Sequence, residues 1–177
     1  MSSGTRAAIC DDQPMRKGLH AAEFTIQSMD RTGDDPILRV GVCVVNGGFQ
    51  RVDPTSLPEG RGRIRMQKED PGFDPRKGSK AATNTKLGWG YNVTDGKLRH
   101  MGVDLDWKGM RPARNNDRIK LVLDSDVGSL TLFLNGVRLG ELVGDDSNTG
   151  LPDLTGRNLA WLVELDKQGD SVLIGSV

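Results

Sequence analysis

The chain has 177 residues, and its 24 Lys plus Arg are balanced by 24 Asp plus Glu. That balance excludes a bulk electrostatic attraction to nucleic acid or to an anionic membrane surface, and there is no run of about 18 apolar residues to cross a bilayer. The length suits one domain with a sizeable core, and the beginning, Met1-Ser2-Ser3-Gly4-Thr5-Arg6, lacks the apolar stretch of a secretion signal. A cytoplasmic monomer is therefore expected, with the nucleus as the alternative compartment.

Strand-like segments recur along the chain, and no amphipathic helix stands out. The first clear one covers residues 21–27 with Phe24 and Ile26, and the second is the apolar run "ILRVGVCVV" at 37–45. The only two cysteines, Cys10 and Cys43, sit among apolar residues in separate strand-like stretches. Both are expected to be buried thiols, since cysteine is among the most buried residue types. The alternative is a disulfide between neighbouring strands, which is rare in cytosol.

Residues 46–86 break the pattern. A structureless segment of this length inside a domain is unusual, and it carries nine basic residues (Arg51, Arg61, Arg63, Arg65, Lys68, Arg76, Lys77, Lys80, Lys86) against five acidic ones (Asp53, Glu59, Glu69, Asp70, Asp74), a local balance of +4. It reads as a long basic loop or insertion between early strands. Part of it, Arg63 to Gln67, alternates like an edge strand guarded by charge. A nucleic-acid patch is disfavoured because Phe49 and Phe73 are its only aromatic residues.

Beyond the insertion, strands are expected at 87–91 "LGWGY" and 97–101 "KLRHM", then in a meander over 118–143. In the meander, Ile119, Leu121 and Leu123 alternate with Arg118, Lys120 and Val122, and Leu130, Leu132 and Leu134 repeat the period. Asn135-Gly136 is the strongest short hairpin signal, because a type I′ turn needs positive φ at both central residues. A two-residue hairpin sets Leu134 opposite Val137 and Leu132 opposite Leu139. The last strands are "NLAWLVEL" at 158–165 and "SVLI" at 171–174, the second returning across the turn "DKQGD". Many short strands and 23 glycines define an all-β, two-layer antiparallel β-sandwich.

Catalytic and metal patterns fail at defined positions. A calcium loop counted from Asp124 needs glycine at its sixth position and glutamate at its twelfth. Ser129 and Asn135 stand there, so the aspartates of this stretch read as turn formers. "PGFDPRKGSK" inverts the Gly-Lys order of a phosphate loop. "ELDKQG" starts like a sandwich glycosidase pattern, but Gly169 stands where the second carboxylate is required. His20 and His100 lack partners at metal-ligand spacing, and Asn92-Val93-Thr94 reads as a chance match to a glycosylation signal. No enzyme activity, cofactor or metal is expected.

Five segments in order, "GLHAAEFTI" (18–26), "RVGVCV" (39–44), "GWGYNVTDGKLRH" (88–100), "DRIKLVLDSDVGSLTLFLNGVRLG" (117–140) and "LAWLVELDKQGDSVLI" (159–174), together resemble a SPRY domain across nearly the whole chain. The resemblance implies one SPRY-like domain over residues 1–177, a sandwich of the concanavalin-like type. It implies binding of a protein or short peptide without chemistry, often as a substrate-recognition or adaptor module of a ubiquitin-ligase or signalling assembly. Positions matching the usual peptide groove offer Arg39, Arg99, His100, Lys167 and Gln168. Arginine makes bidentate contacts to carboxylates, so an acidic or Asp/Asn-containing peptide is the expected partner. Trp89, Trp161 and Phe133 are expected in the core, whereas Trp107 is either an interface anchor or a lid on the sandwich edge. The alternative function is a carbohydrate-binding, lectin-like sandwich. Hydrolysis by Cys10, Cys43 or Glu164 is a third reading.

Overall fold

A computed structural model describes residues 6–31, 37–45 and 81–176, and alternation of apolar and polar residues organises these described residues into eleven strands. They are β1 (Arg6–Met15), β2 (Leu19–Ser28), β3 (Leu38–Val44), β4 (Gly88–Asn92), β5 (Leu98–His100), β6 (Val103–Leu105), β7 (Arg118–Asp124), β8 (Ser129–Leu134), β9 (Val137–Val143), β10 (Leu159–Leu165) and β11 (Ser171–Ser176). A 3-10 turn, Ala82–Asn84, precedes β4. One sheet has the order β1-β10-β3-β4-β5-β6 and the other β11-β2-β7-β8-β9. Every pairing is antiparallel, which gives the expected two-layer sandwich.

The core lies where the inner faces meet. Phe24 and Ile26 of β2, Ile119, Leu121 and Leu123 of β7, and Leu130, Leu132 and Leu134 of β8 are buried against Leu38, Val40 and Val42 of β3 and Trp89 and Tyr91 of β4. Each such aliphatic side chain contributes about 1.5–3 kcal/mol through burial. Tyr91 also donates its hydroxyl to the Arg111 carbonyl, and burial holds its phenol well above the usual range.

The meander forms as its pattern requires. Asn135 and Gly136 take φ of 51° and 82°, and Leu134 faces Val137. Its aspartates are turn formers: Asp124 accepts the Asp126 and Val127 amides, and Asp126 accepts that of Gly18.

Five expectations are corrected. Leu132 faces Gly140, because a register shift between Leu132 and Phe133 leaves Leu139 as an extra residue in β9. Val137 is exposed, Leu139 is half-buried against the main core, and full burial is reached at Leu142 and Val143. Phe133 is half-buried on the outer face, opposite Lys120 and Arg138, and lies outside the core. β11 does not return onto β10: the turn at 166–170 carries the chain to the other sheet, where β11 pairs with β2. Cys10 is exposed on edge strand β1, whereas Cys43 is buried. With β10 lying between β1 and β3, the two cysteines are two strand spacings apart, about 9.6 Å, which is too far for a disulfide.

The edge strand expected at Arg63 to Gln67, with the rest of residues 46–80, lies outside the described residues. Strands β1 and β6 carry little period-two signal, and β1 shows in the sequence only as the apolar stretch around Cys10. The first contains Asp11, Asp12 and Pro14 and is interrupted by a register shift between Cys10 and Met15, a composition tolerated only at an edge. The second has three residues.

Two glycine substitutions separate backbone strain from crowding. A Cβ on Gly136 meets nothing within 4 Å, so Gly136→Val should cost about 1–2 kcal/mol from the left-handed φ alone. A Cβ on Gly41 would lie 1.9 Å from the Trp89 carbonyl oxygen, and Gly41→Ala should cost more than about 4 kcal/mol. Urea unfolding of both variants measures the difference, and equal losses would contradict the strand packing.

Candidate functional site

The outer face of the six-stranded sheet is where charge, glycine and the end of the insertion come together. Residues that pair directly share a face, so Arg39, Glu164 and Asn92 stand in one row, and Gly41, Leu162, Gly90 and Arg99 in the next. Gly88 and Gly90 leave a bare floor there. Cβ atoms at these positions would meet the Ala82 carbonyl carbon at 2.5 Å and the Thr83 methyl at 2.6 Å, so the 3-10 turn can settle directly onto the sheet. Ala82 completes a small second core with Cys43, Val45, Ala160 and Leu162.

Glu164 locks this arrangement. It is fully buried, its Oε1 accepts the Thr83 amide at 3.1 Å, and its Oε2 accepts the Thr83 hydroxyl at 2.7 Å. Arg39, 1 % exposed, brings its Nη1 within 3.5 Å of the same carboxylate. A buried charge needs such compensation, because removing one member leaves the other charged in a dry site. Glu164 is thus a structural carboxylate, closed to the hydrolytic role.

The same turn continues to the surface. Asn84 Oδ1 accepts from Arg99 Nε at 3.0 Å, and Arg99 Nη1 meets Asp104 Oδ2 at 2.8 Å. Gly102 and Met101, at the tip between β5 and β6, donate their amides to the Thr83 and Thr85 carbonyls. Two of the five guanidinium N–H groups are thereby engaged, and the side chain remains 19 % exposed. Met101 and Val103 at this hairpin are exposed at 61 % and 55 %. Lys97 pairs with Asp106 nearby at 3.2 Å.

The six residues singled out in the sequence do not converge. Arg39 is sealed beneath Thr83, so it is no surface contact. Trp107 is also corrected: it is buried in the main core, and its indole N–H donates to the Gly96 carbonyl at 2.7 Å. His100 is on β5 beside Arg99 but on the opposite, inner face, where it stacks on Trp89 at 4.6 Å with its Nδ1 2.8 Å from the Gly88 carbonyl oxygen. Lys167 and Gln168 are at the far rim, Lys167 3.9 Å from Asp30. From Arg99 they lie three strands across and five residues along, about 20 Å away.

Asn84, Thr83, Asp104 and Glu164 carry the arrangement; the first three escaped sequence reasoning, and Glu164 entered it only as a hydrolytic carboxylate. A signal existed for one pair: Arg39 in "ILRVGVCVV" and Glu164 in "NLAWLVEL" are lone opposite charges in otherwise apolar strands, a composition suited to a buried cross-strand pair. The glycosylation match is structural, since Asn92 is buried and its Oδ1 accepts the Thr94 hydroxyl at 2.9 Å.

No protein-family model matches the sequence, and no curated protein matches it. The structure is similar to the crystal structure of the SPRY domain of human HERC1, with a TM-score of 0.59 and 18% identity, covering 99% of this chain and 85% of that one. The fold is therefore that of a SPRY-type β-sandwich.

Two measurements test the site's architecture. Glu164→Ala should cost about 3–5 kcal/mol in urea unfolding, because Arg39 is left buried without its carboxylate, and a loss under about 1 kcal/mol would refute the lock. Burial lowers the pKa of His100, and Arg157 lowers it further against the raising effect of the Gly88 bond. The unfolded value is about 6.5, so below that pH the unfolded chain binds more protons and stability falls as the pH drops. Wild type should therefore lose stability on acidification beyond any loss seen in His100→Gln; parallel pH profiles would exclude a buried neutral imidazole.

Proposed function

We propose that this chain is a non-catalytic protein- or peptide-binding module, working in the cytoplasm or nucleus as a recognition or adaptor domain of a ubiquitin-ligase or signalling assembly. The carrying observation is the partly exposed guanidinium of Arg99, fixed by Asn84 and Asp104 next to the exposed Met101 at the hairpin tip. A fixed cation beside apolar surface suits an acidic or Asp/Asn-containing peptide, whose carboxylate or amide oxygen accepts the remaining N–H donors. Fixing the cation beforehand lowers the ordering cost of binding.

Lys167 and Gln168 form a separate surface in this reading. An extended peptide needs about six residues to span the distance from Arg99, so a short ligand engages one or the other. The lectin reading has narrower support: among the described residues Trp89, Trp107 and Tyr91 are buried, and Phe133 is the one aromatic side chain half-buried on an outer face.

Selection from a random peptide library tests the proposal. Enriched peptides should carry Asp, Glu or Asn, and Arg99→Ala should weaken them at least about tenfold with thermal unfolding unchanged. Asp104→Asn should strengthen acidic peptides severalfold, because the amide oxygen still accepts from Arg99 Nη1 while the charge that repels their carboxylates is gone. Enrichment of peptides indifferent to both changes would remove this surface from the function.

A further inference from the structure

Each sheet has two edge strands, and an edge exposes backbone donors and acceptors to any strand that approaches. Three of the four edges are guarded. β1 carries Asp11, Asp12, Pro14 and a register shift; β6 has three residues, one of them Asp104; β9 has two register shifts and carries Arg138 and Glu141. β11, "SVLIGS", has neither charge nor proline, and its only irregularity is at the Ser171 end. Among the described residues it pairs with β2 alone.

The hydrogen-bonding direction of β11 follows from its neighbour. Ile26 of β2 donates to the Asp117 carbonyl and accepts from the Asn116 amide, so its backbone groups turn toward β7. By alternation, Thr25 and Glu23 turn theirs toward β11, where they face Leu173 and Gly175. Val172, Ile174 and Ser176 therefore point their N–H and C=O groups away from the sheet.

We propose that β11 is a self-association edge, at which a second copy of this chain adds antiparallel about a twofold axis through Ile174. This axis sets Ile174 against itself and Val172 against Ser176, so the outward groups meet as hydrogen-bonded pairs, each exchanging two bonds. Leu173, 56 % exposed, comes to lie against Gly175, where an added Cβ finds nothing within 4 Å. A twofold sets the residue on its axis against its own copy, so a charge at position 174 would meet a like charge, and Ile174 carries none. The strand is self-complementary in shape as well, because the twofold lays the exposed Leu173 of each copy over the bare Gly175 of the other, and this match is made twice.

The flank around β11 is open on the core side too. Trp161 of β10 meets Phe24 of β2 edge to face, which places β1 over β11. Val172 and Ile174 are only half-buried there, and Ala8, on the inner face of β1, is exposed. A second copy covers this flank and joins two five-stranded sheets into one. Arg99 lies toward the opposite edge of its sheet, so the dimer expected from this pairing presents that surface twice and gains avidity for a bivalent partner. The expectation from the sequence is a monomer, and the oligomeric state in solution separates the two.

Sedimentation equilibrium over a concentration series is the test. Wild type should pass from monomer to dimer mass, while Leu173→Lys and Gly175→Lys, both in open space, should weaken association at least about tenfold with circular dichroism unchanged. Hydrogen exchange adds a site-specific readout: the Ile174 amide should gain protection as concentration rises. A wild type that stays monomeric throughout, or lysine variants that associate as wild type does, would overturn the proposal. Should either variant misfold, the Ile174 amide in wild type decides alone, its indifference to concentration being the negative result.

Discussion

The carboxylate of Glu164, buried between Arg39 and Thr83, is the constraint on which the outer face of the six-stranded sheet depends. Opposite charges inside a sandwich are costly unless their hydrogen-bonding capacity is met. The turn at Ala82–Asn84 meets part of it with a backbone amide and a hydroxyl. It can do so only because Gly88 and Gly90 offer no side chains, letting a second layer of backbone rest on the sheet. Once Thr83 is held, Asn84 stands beside Arg99, and the tip of the β5–β6 hairpin is bonded to the same segment. The geometry of an exposed cation is thus set by an ion pair that no solvent reaches.

That dependence explains why the site was only partly visible in the sequence. Arg99 was found because a basic residue at the end of a short strand matches a family pattern. Its partners, Asn84 and Asp104, come from the end of a long insertion and from a strand of three residues, both below the length at which period two can be recognised. Arg39 was assigned to the surface because its strand matches the family's peptide groove, and Trp107 was left between anchor and lid because Asp106, Lys108 and Gly109 flank it. Each is buried because a particular group reaches it: Glu164 in one case, the Gly96 carbonyl in the other.

His100 shows a similar division. Its neighbour relation to Arg99 in sequence suggested a shared surface, yet successive residues of a strand face opposite sides. Arg99 turns to the outer face and His100 to the inner, where stacking on Trp89 and burial favour the neutral ring. The two residues therefore serve different ends, one presented to a partner and the other part of the packing beneath it.

What the amino-acid sequence determined by itself was local: the inner faces of β2, β7 and β8, the turn at Asn135-Gly136, and the all-β class. These follow from alternation of side chains and from φ preferences that act within a few residues. Only the tertiary structure decided that β11 leaves β10 for the other sheet, that bulges shift the register of β9, and that a lone arginine and a lone glutamate in distant strands meet. Those outcomes depend on which strands lie side by side across more than a hundred residues of chain. Period two is the same for every partner a strand could choose, so it carries no record of the choice.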